Sequence, residues 1–225
     1  MNTFSNIPRQ TANPSDAGEF GRFNYKFKKQ TGGPGQYAHV IGRLEPCEES
    51  FIFENRVKGG DIPQHFIPAC ERGFREAMDK GLLAGYPVTG VKVILEGGSY
   101  HEVDSSDRAF QFAARQGFYQ GFARANPIII EPVMRVAVET PSQFFGSIQG
   151  DLVSRRGLLL DFETLGNNTA IRAEVPLGEM FRYSTSLHSL TSGQGRFSME
   201  FACYRQVPAL VQEQVIQKAA ASRQK

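Results

Sequence analysis

The stretch EGGSYHEVDSSD, residues 96–107, concentrates side chains that could do chemistry: Tyr100, His101, Asp104, Ser105 and Ser106 follow two glycines. An imidazole three residues from a carboxylate could be a general base with its orienting partner. An aspartate just ahead of a helical pattern more often caps the helix. An imidazole and a phenol on a strand-to-helix loop can also stack on bases or meet sugar and phosphate. Spacing alone ranks capping by Asp104 first, RNA contact second and catalysis by His101 and Asp104 third, because no convincing nucleophile stands near by. A second stretch, TGGPGQYAH (31–39), packs three glycines and a proline into five positions between two strand-like segments. A hairpin turns with about two to five residues and one glycine. The excess implies a bare backbone that must touch something.

Other chemistries find no support. There is no GxxxxGK[ST] phosphate loop, and GGPGQ lacks the lysine and the following Ser/Thr. The four histidines show no HExxH or paired-ligand spacing. His39 alternates within a strand pattern, and His65 and His188 sit in helical ones, which reads as packing or surface. Cys47, Cys70 and Cys203 are odd in number and widely spaced. They read as reduced thiols of a cytosolic compartment, not as a disulfide framework or a zinc site. No metal ligand set and no catalytic residue are therefore assigned. Net charge is only +2, too little for a basic nucleic-acid binder by total charge. Charge is locally sorted, however. Lys26, Lys28 and Lys29 precede the glycine loop, while Glu45, Glu48 and Glu49 follow the next strand. Such a stripe can meet phosphate, or simply be a solvated strand edge.

The elements that must position these residues can be read from periodicity. At 225 residues, 40% hydrophobic and 21% charged, the chain has the composition of one large or two small globular domains. No apolar run approaches the roughly 20 residues of a membrane span, and residues 1–20 lack the apolar core of a secretory signal. Residues 1–21 read as a polar, disordered lead-in. RFNYKFKKQ (22–30) alternates as a half-buried strand, and strands are also expected at 37–46, 50–57 and 91–97. Residues 59–81 read as a helix. Pro68 lies in its first turn, Phe66, Cys70, Phe74 and Met78 repeat at i+4, and Gly81 is a C-terminal cap. Residues 104–125 form a second helix whose buried face includes Gly117 and Gly121, which suits close packing on a sheet. NPIIIEP (126–132) reads as a boundary. Beyond it come a strand (133–139), a helix from the Thr140 cap and Pro141 to Arg156-Gly157, two strands joined at LGNN, a helix over GEMFRYSTSLHSLTSG and a strand at 195–205. This β-α-β-β-α-β order is the signature of a ferredoxin-like split βαβ domain. The tail 208–225 reads as a terminal helix.

The blocks KKQTGGPGQYAHV, IPQHFIPACERGFREAMDKGLLAGYPV, GSYHEVDSSDRAF, EPVMRVAVETP, GDLVSRRG and AEVPLGEMFRYSTSLHSLTSGQGRFSMEF together resemble the last two domains of translation elongation factor G. The resemblance runs from about residue 22 to residue 207 without a large gap. NYKFKKQTGG and GRLEPC resemble the subtype of mitochondria and some bacteria. The resemblance implies an α+β chain of two domains. Residues 22–127 would be the fourth domain, an elongated βαβ module with a left-handed crossover. Residues 128–207 would be the ferredoxin-like fifth domain.

It further implies a ribosome-binding chain, monomeric and cytoplasmic, that promotes tRNA–mRNA translocation by inserting tip loops into the small-subunit decoding region. The first tip loop corresponds to Thr31, Gly32, Gly33, Pro34, Gly35, Gln36 and Tyr37. The second corresponds to Gly98, Ser99, Tyr100, His101, Glu102, Val103 and Asp104. Pro34 departs from the basic or other side chain frequent there in the family. Glycine removes the Cβ that would hold the loop off an RNA backbone, exposed N–H groups form an anion-binding concavity, and Gln36 can reach a 2′-hydroxyl whatever the sequence. Lys26, Lys28, Lys29, Arg155 and Arg156 are the rRNA-phosphate candidates. No cofactor is expected in this chain, since GTP and magnesium belong to the GTPase domain of the full-length family. The alternatives are a ribosomal protection protein of the same superfamily, whose tip loops should differ, and a small hydrolase using His101 and Asp104.

Overall fold

The computed structural model describes residues 8–12, 21–30 and 35–223, which fall into two compact units. The first comprises residues 8–129 with the C-terminal segment from Val207. Its strands are β1 (Arg9–Thr11), β2 (Gly21–Lys29), β3 (Gln36–Pro46), β4 (Phe51–Asn55) and β5 (Val91–Ser99). Its helices are α1 (Ile67–Asp79) and α2 (Asp107–Arg124). The alternation in β2 works as expected, with Phe23 buried and Asn24, Lys26 and Lys28 exposed. The sheet order is β2-β3-β5-β4. β3 runs antiparallel to β2 and β5, whereas β4 and β5 are parallel and joined through α1. Phe66, Cys70, Phe74 and Met78 all enter the core with Phe110, Phe118 and Phe122 of α2. Burial pushes the Cys70 thiol up to about 12, as suits an inert packing cysteine.

The small face of α2 lets helix and sheet backbones touch. A Cβ on Gly121 would lie 2.7 Å from the Gly21 carbonyl oxygen and 3.2 Å from Leu44. The first helix starts later than its sequence suggests. Gly59 and Gly60 take positive φ (68° and 79°), and a 3-10 turn at Gln64–Phe66 precedes α1. Pro68 does lie in its first turn. Gly81 is not its cap, because Lys80 leaves the helix extended, at φ −135° and ψ 85°.

Gly81 instead makes room for Gln10, whose Oε1 would sit 2.5 Å from an added Cβ. Gln10 is fully buried within the segment expected to be a disordered lead-in. Its side chain donates to the Tyr86 carbonyl (3.1 Å) and accepts from the Leu83 N–H (3.1 Å). Its backbone pairs with Pro87 and Thr89. One amide side chain thus satisfies two groups of the 81–90 loop, which explains order in a polar, pattern-free stretch.

The second unit, residues 130–206, contains most of β6 (Ile128–Pro141), with α3 (Phe145–Ser154), β7 (Leu158–Leu165), β8 (Asn168–Pro176), α4 (Tyr183–Leu190) and β9 (Arg196–Gln206). Its antiparallel sheet runs β9-β6-β8-β7. β8 lies between β6 and β7, the split βαβ arrangement that the element order implies. NPIIIEP is largely strand, since Ile130 and Glu131 already pair with Gln206 and Arg205. Thr140 and Pro141 likewise stay in β6, opposite Thr169 and Asn168. Sheet pairing outcompetes the cap expected there, and a 3-10 turn at Ser142–Phe144 leads into α3. Val136, Val138, Ile148, Leu152, Ile171, Val175 and Tyr183 form the core. The tail forms α5 (Ala209–Arg223). Gln212 accepts from the Ile129 N–H at 2.9 Å and so ties α5 to the first unit.

Candidate nucleic-acid interface: two loops tied into one tip

β2 and β3 end on the pair Lys29–Gln36, and β3 places His39 opposite Ser99 at the end of β5. The loops after Lys29 and after Ser99 therefore leave the sheet at the same end. Thr31, Gly32, Gly33 and Pro34 lie outside the described residues. Gly35, Gln36, Tyr37, Ser99, Tyr100, His101 and Asp104 are brought together.

Asp104 is the junction. Its Oδ1 accepts from the Gly35 N–H at 3.0 Å, and its backbone oxygen accepts from the Tyr37 N–H at 2.9 Å. The neighbouring Ser105 hydroxyl donates to the Tyr37 carbonyl at 2.8 Å and accepts from the His101 N–H at 2.9 Å. A Cβ on Gly35 would lie 2.8 Å from the Asp104 carboxylate, so glycine at 35 permits this closure. Asp104 is consequently not the helix cap. Ser106, extended at φ −151° and ψ 161°, caps α2 by accepting from the Ala109 N–H, as a serine at that position should. Ser105, one of the polar side chains of the 96–107 stretch, gains a defined role only from these bonds to Tyr37 and His101. In the sequence it is the first hydroxyl of SSD, ahead of the capping Ser106.

His101 Nδ1 accepts from the backbone N–H groups of Val103 (3.3 Å) and Asp104 (3.2 Å). A backbone N–H can only donate, so the ring proton is placed on Nε2. Asp104 Oδ2 stands 3.6 Å from Nδ1, beyond hydrogen-bond range. A base–orienter pair needs an Nδ1–H pointing at the carboxylate; here Nδ1 is an acceptor and Oδ1 is taken by Gly35. The arrangement suits a fixed imidazole whose Nε2–H is a donor, on a side chain 55% exposed. Tyr100 (42%) and Val103 (77%) are exposed on the same loop.

Behind the tip runs a polar chain. The Tyr37 hydroxyl meets Ser99 Oγ at 2.8 Å, Ser99 Oγ meets His39 Nδ1 at 3.1 Å, and His39 Nε2 donates to Asn24 Oδ1 at 2.7 Å. Burial, then the Lys26 charge, hold the His39 pKa below its usual value, so a neutral imidazole bridges Ser99 and Asn24. His39 is structural, as its strand position implied. Lys26 lies over the Tyr37 ring, 5.4 Å from its centroid, a cation–π contact at the loop base. Lys28 and Lys29 are exposed next to it.

Arg155 and Arg156, the other phosphate candidates, are engaged in bonds within the second unit. Arg155 donates to Asp151 Oδ2 (2.9 Å), the Glu179 carbonyl (2.5 Å) and Ser186 Oγ (2.8 Å). Arg156, at φ 60°, forms a bidentate pair with Glu131 (2.8 and 2.9 Å) and donates to Glu179 Oε1 at 2.9 Å. These part-buried networks stitch α3 to β6 and to the turn before α4. Among the described residues no group of three or more His, Cys, Asp or Glu could hold a metal, and no helix is long and apolar enough to cross a membrane.

Comparison with known proteins accounts for both units. Residues 15–126 match "Elongation factor G, domain IV", and residues 128–215 match "Elongation factor G C-terminus". Elongation factor G 1 of Syntrophus aciditrophicus (strain SB) is 50% identical over 199 residues, which cover 88% of this chain and 29% of that protein. Elongation factor G of Rhodopirellula baltica is 52% identical over 198 residues, covering 86% and 28%. A crystal structure of a Thermus thermophilus protein superposes with a TM-score of 0.81 at 42% identity, over 95% of this chain and 32% of that one. The chain thus spans under a third of the length of the curated relatives it matches. Neither matched region is the GTPase domain of the full-length family. The α+β unit that carries the tip and the ferredoxin-like unit are the fourth and C-terminal domains of a translation elongation factor, and the chain belongs to the elongation factor G family.

Proposed function

We propose that this chain is the ribosome-engaging part of an elongation factor, and that its tip acts mechanically in the decoding region of the small subunit. The tip loops hold the codon–anticodon duplex while tRNA and mRNA advance. The observation that supports this reading is the convergence of Gly35, Tyr37 and His101 on Asp104, which sets Gln36 and the Nε2–H of His101 at one end of the sheet. A translocation factor must treat every codon alike. Backbone, hydroxyl and imidazole donors meet sugar and phosphate without reading base edges. Lys28 and Lys29 support the same approach as phosphate contacts at the loop base, with Lys26 behind them on Tyr37.

The Nε2–H tautomer of His101 speaks against the hydrolase alternative. The loops TGGPGQY and GSYHEVD speak for a translocation factor over a ribosomal protection protein. The NYKFKKQTGG and GRLEPC segments support placing it with the subtype of mitochondria and some bacteria. The partners are ribosomal RNA and proteins and the tRNA–mRNA pair. The site of action is the cytoplasm, and the working form is a monomer. GTP and magnesium act in the GTPase domain of the full-length protein.

The test is His101→Ala in a full-length factor carrying this region. Slowed tRNA–mRNA movement with normal ribosome-stimulated GTP hydrolysis is expected. Movement at the unaltered rate would overturn the role of His101.

A further inference from the structure

A cleft of about 290 Å³ on the first unit is lined by Glu76, Arg108, Gln111, Phe112 and Arg115. Four of these stand at i, i+3, i+4 and i+7 of α2 and share one helix face; Glu76 comes from α1. Phe112 is backed by Phe27, with ring centroids 4.5 Å apart. The Arg115 guanidinium lies over the Phe112 ring, 5.4 Å from its centroid, and is thereby oriented. Gln111 Nε2 donates to Glu76 Oε1 and fixes that carboxylate. Arg72 and Arg75 of α1 are paired with Asp107 and Glu71, whereas Arg108 and Arg115 have no ion pair among the described residues. Seven residues of helix separate the backbones of Arg108 and Arg115 by about 10 Å along the axis.

Two free guanidiniums on one helix face call for anionic groups such as phosphates. The Glu76 carboxylate on the same cleft wall can accept from a hydroxyl donor. Phosphate, hydroxyl, phosphate is the repeat of an RNA backbone, and the 2′-hydroxyl is what DNA lacks. The cleft also adjoins the tip. Arg108 follows Asp104 by four residues, and Phe27 lies two residues before the end of β2, from which the glycine loop departs.

We infer that this cleft is a second RNA-backbone site, in which Arg108 and Arg115 each meet a phosphate and Glu76 accepts from a 2′-hydroxyl between them. The inference rests on the RNA-facing reading of the tip and extends it to the flank of α2.

The test uses the 225-residue chain, a fluorescent RNA hairpin, the DNA hairpin of the same sequence and a doubly phosphorylated peptide, titrated across a salt series. The chain should bind RNA more tightly than DNA. Arg108→Ala with Arg115→Ala should lower the slope of log affinity against log salt by about 1.4–1.8 units, at roughly 0.7–0.9 per phosphate, with an unchanged melting temperature. Glu76→Ala should reduce the preference for RNA over DNA. An unchanged slope, equal affinity for both hairpins, or tighter binding of the phosphopeptide overturns the inference. The tip reading is scored separately by translocation with His101→Ala. A lowered slope in the double variant with unimpaired His101→Ala translocation overturns the tip alone, and the reverse pattern overturns the cleft alone.

Discussion

Replacing Gly35 by alanine should open the tip, and the cost should vanish when Asp104 is also replaced. No positive φ constrains Gly35, so alanine suits its backbone. The added Cβ would fall 2.8 Å from Asp104 Cγ and Oδ2 and 2.9 Å from Oδ1, against 3.4 Å for ordinary contact. The carboxylate must move away, and the Gly35 N–H bond to Oδ1 at 3.0 Å is lost. Hydrogen bonds to charged groups contribute about 1.5–3 kcal/mol. The Asp104 side chain is 20% exposed, so the lower end applies, about 1.5 kcal/mol. That corresponds to roughly tenfold faster amide exchange at position 35, since each 1.4 kcal/mol is a factor of ten. Asp104→Ala removes the same bond and should give a similar acceleration. The double variant should exchange no faster than either single one, a coupling about as large as each individual effect. Hydrogen exchange resolved at residue 35 reads all three. Additive accelerations, or an unchanged rate in Asp104→Ala, would refute the clamp.

Gln10→Ala should destabilise the first unit by about 1–2 kcal/mol, because it leaves the part-buried Tyr86 carbonyl and Leu83 N–H without their partner; urea denaturation measures this. Arg156→Ala should destabilise the second unit by about 3 kcal/mol, since it strands Glu131, whose side chain is 12% exposed. The same variant should leave the salt dependence of ribosome binding unchanged, which a phosphate contact would not. His39 carries the pH dependence. Its folded pKa lies below the unfolded value of about 6.5, and so its contribution is present above that pH and lost as pH falls through the folded value. Melting temperatures should drop as pH falls below about 6.5 by more in the unaltered chain than in His39→Gln.

Local pattern made much of the fold legible. Period two placed Phe23, Tyr25 and Phe27 on the inner face of β2, and the i+4 repeat placed Phe66, Cys70, Phe74 and Met78 in the core. Element order alone implied the split βαβ sheet of the second unit. What stayed hidden depends on partners distant along the chain. Gln10 gains its order from a loop more than 70 residues away. Asp104 turns from cap to clamp because sheet register brings Gly35 beside it across 69 residues. Arg155 and Arg156 look like a free basic pair until Glu131 and Glu179 arrive from β6 and from the turn before α4. Local periodicity carries no information on such pairings, and side-chain chemistry alone could not choose between them. The two loops stood out in another way: their glycine excess and clustered polar side chains fit no helix or strand period, and Gly35, Tyr37 and His101 do converge on Asp104.

The central claim is that the tip stands at the decoding site, and proximity tests it most directly. Val103 is 77% exposed beside His101. A hydroxyl-radical source tethered through Val103→Cys, with Cys47, Cys70 and Cys203 replaced by serine or alanine, would report which RNA the tip meets in a full-length factor bound to ribosomes. Strand cleavage in the small-subunit RNA around the decoding site and in the anticodon stem of the bound tRNA is the expected result. Cleavage confined to large-subunit RNA, or none above background while the factor stays bound, would contradict the account.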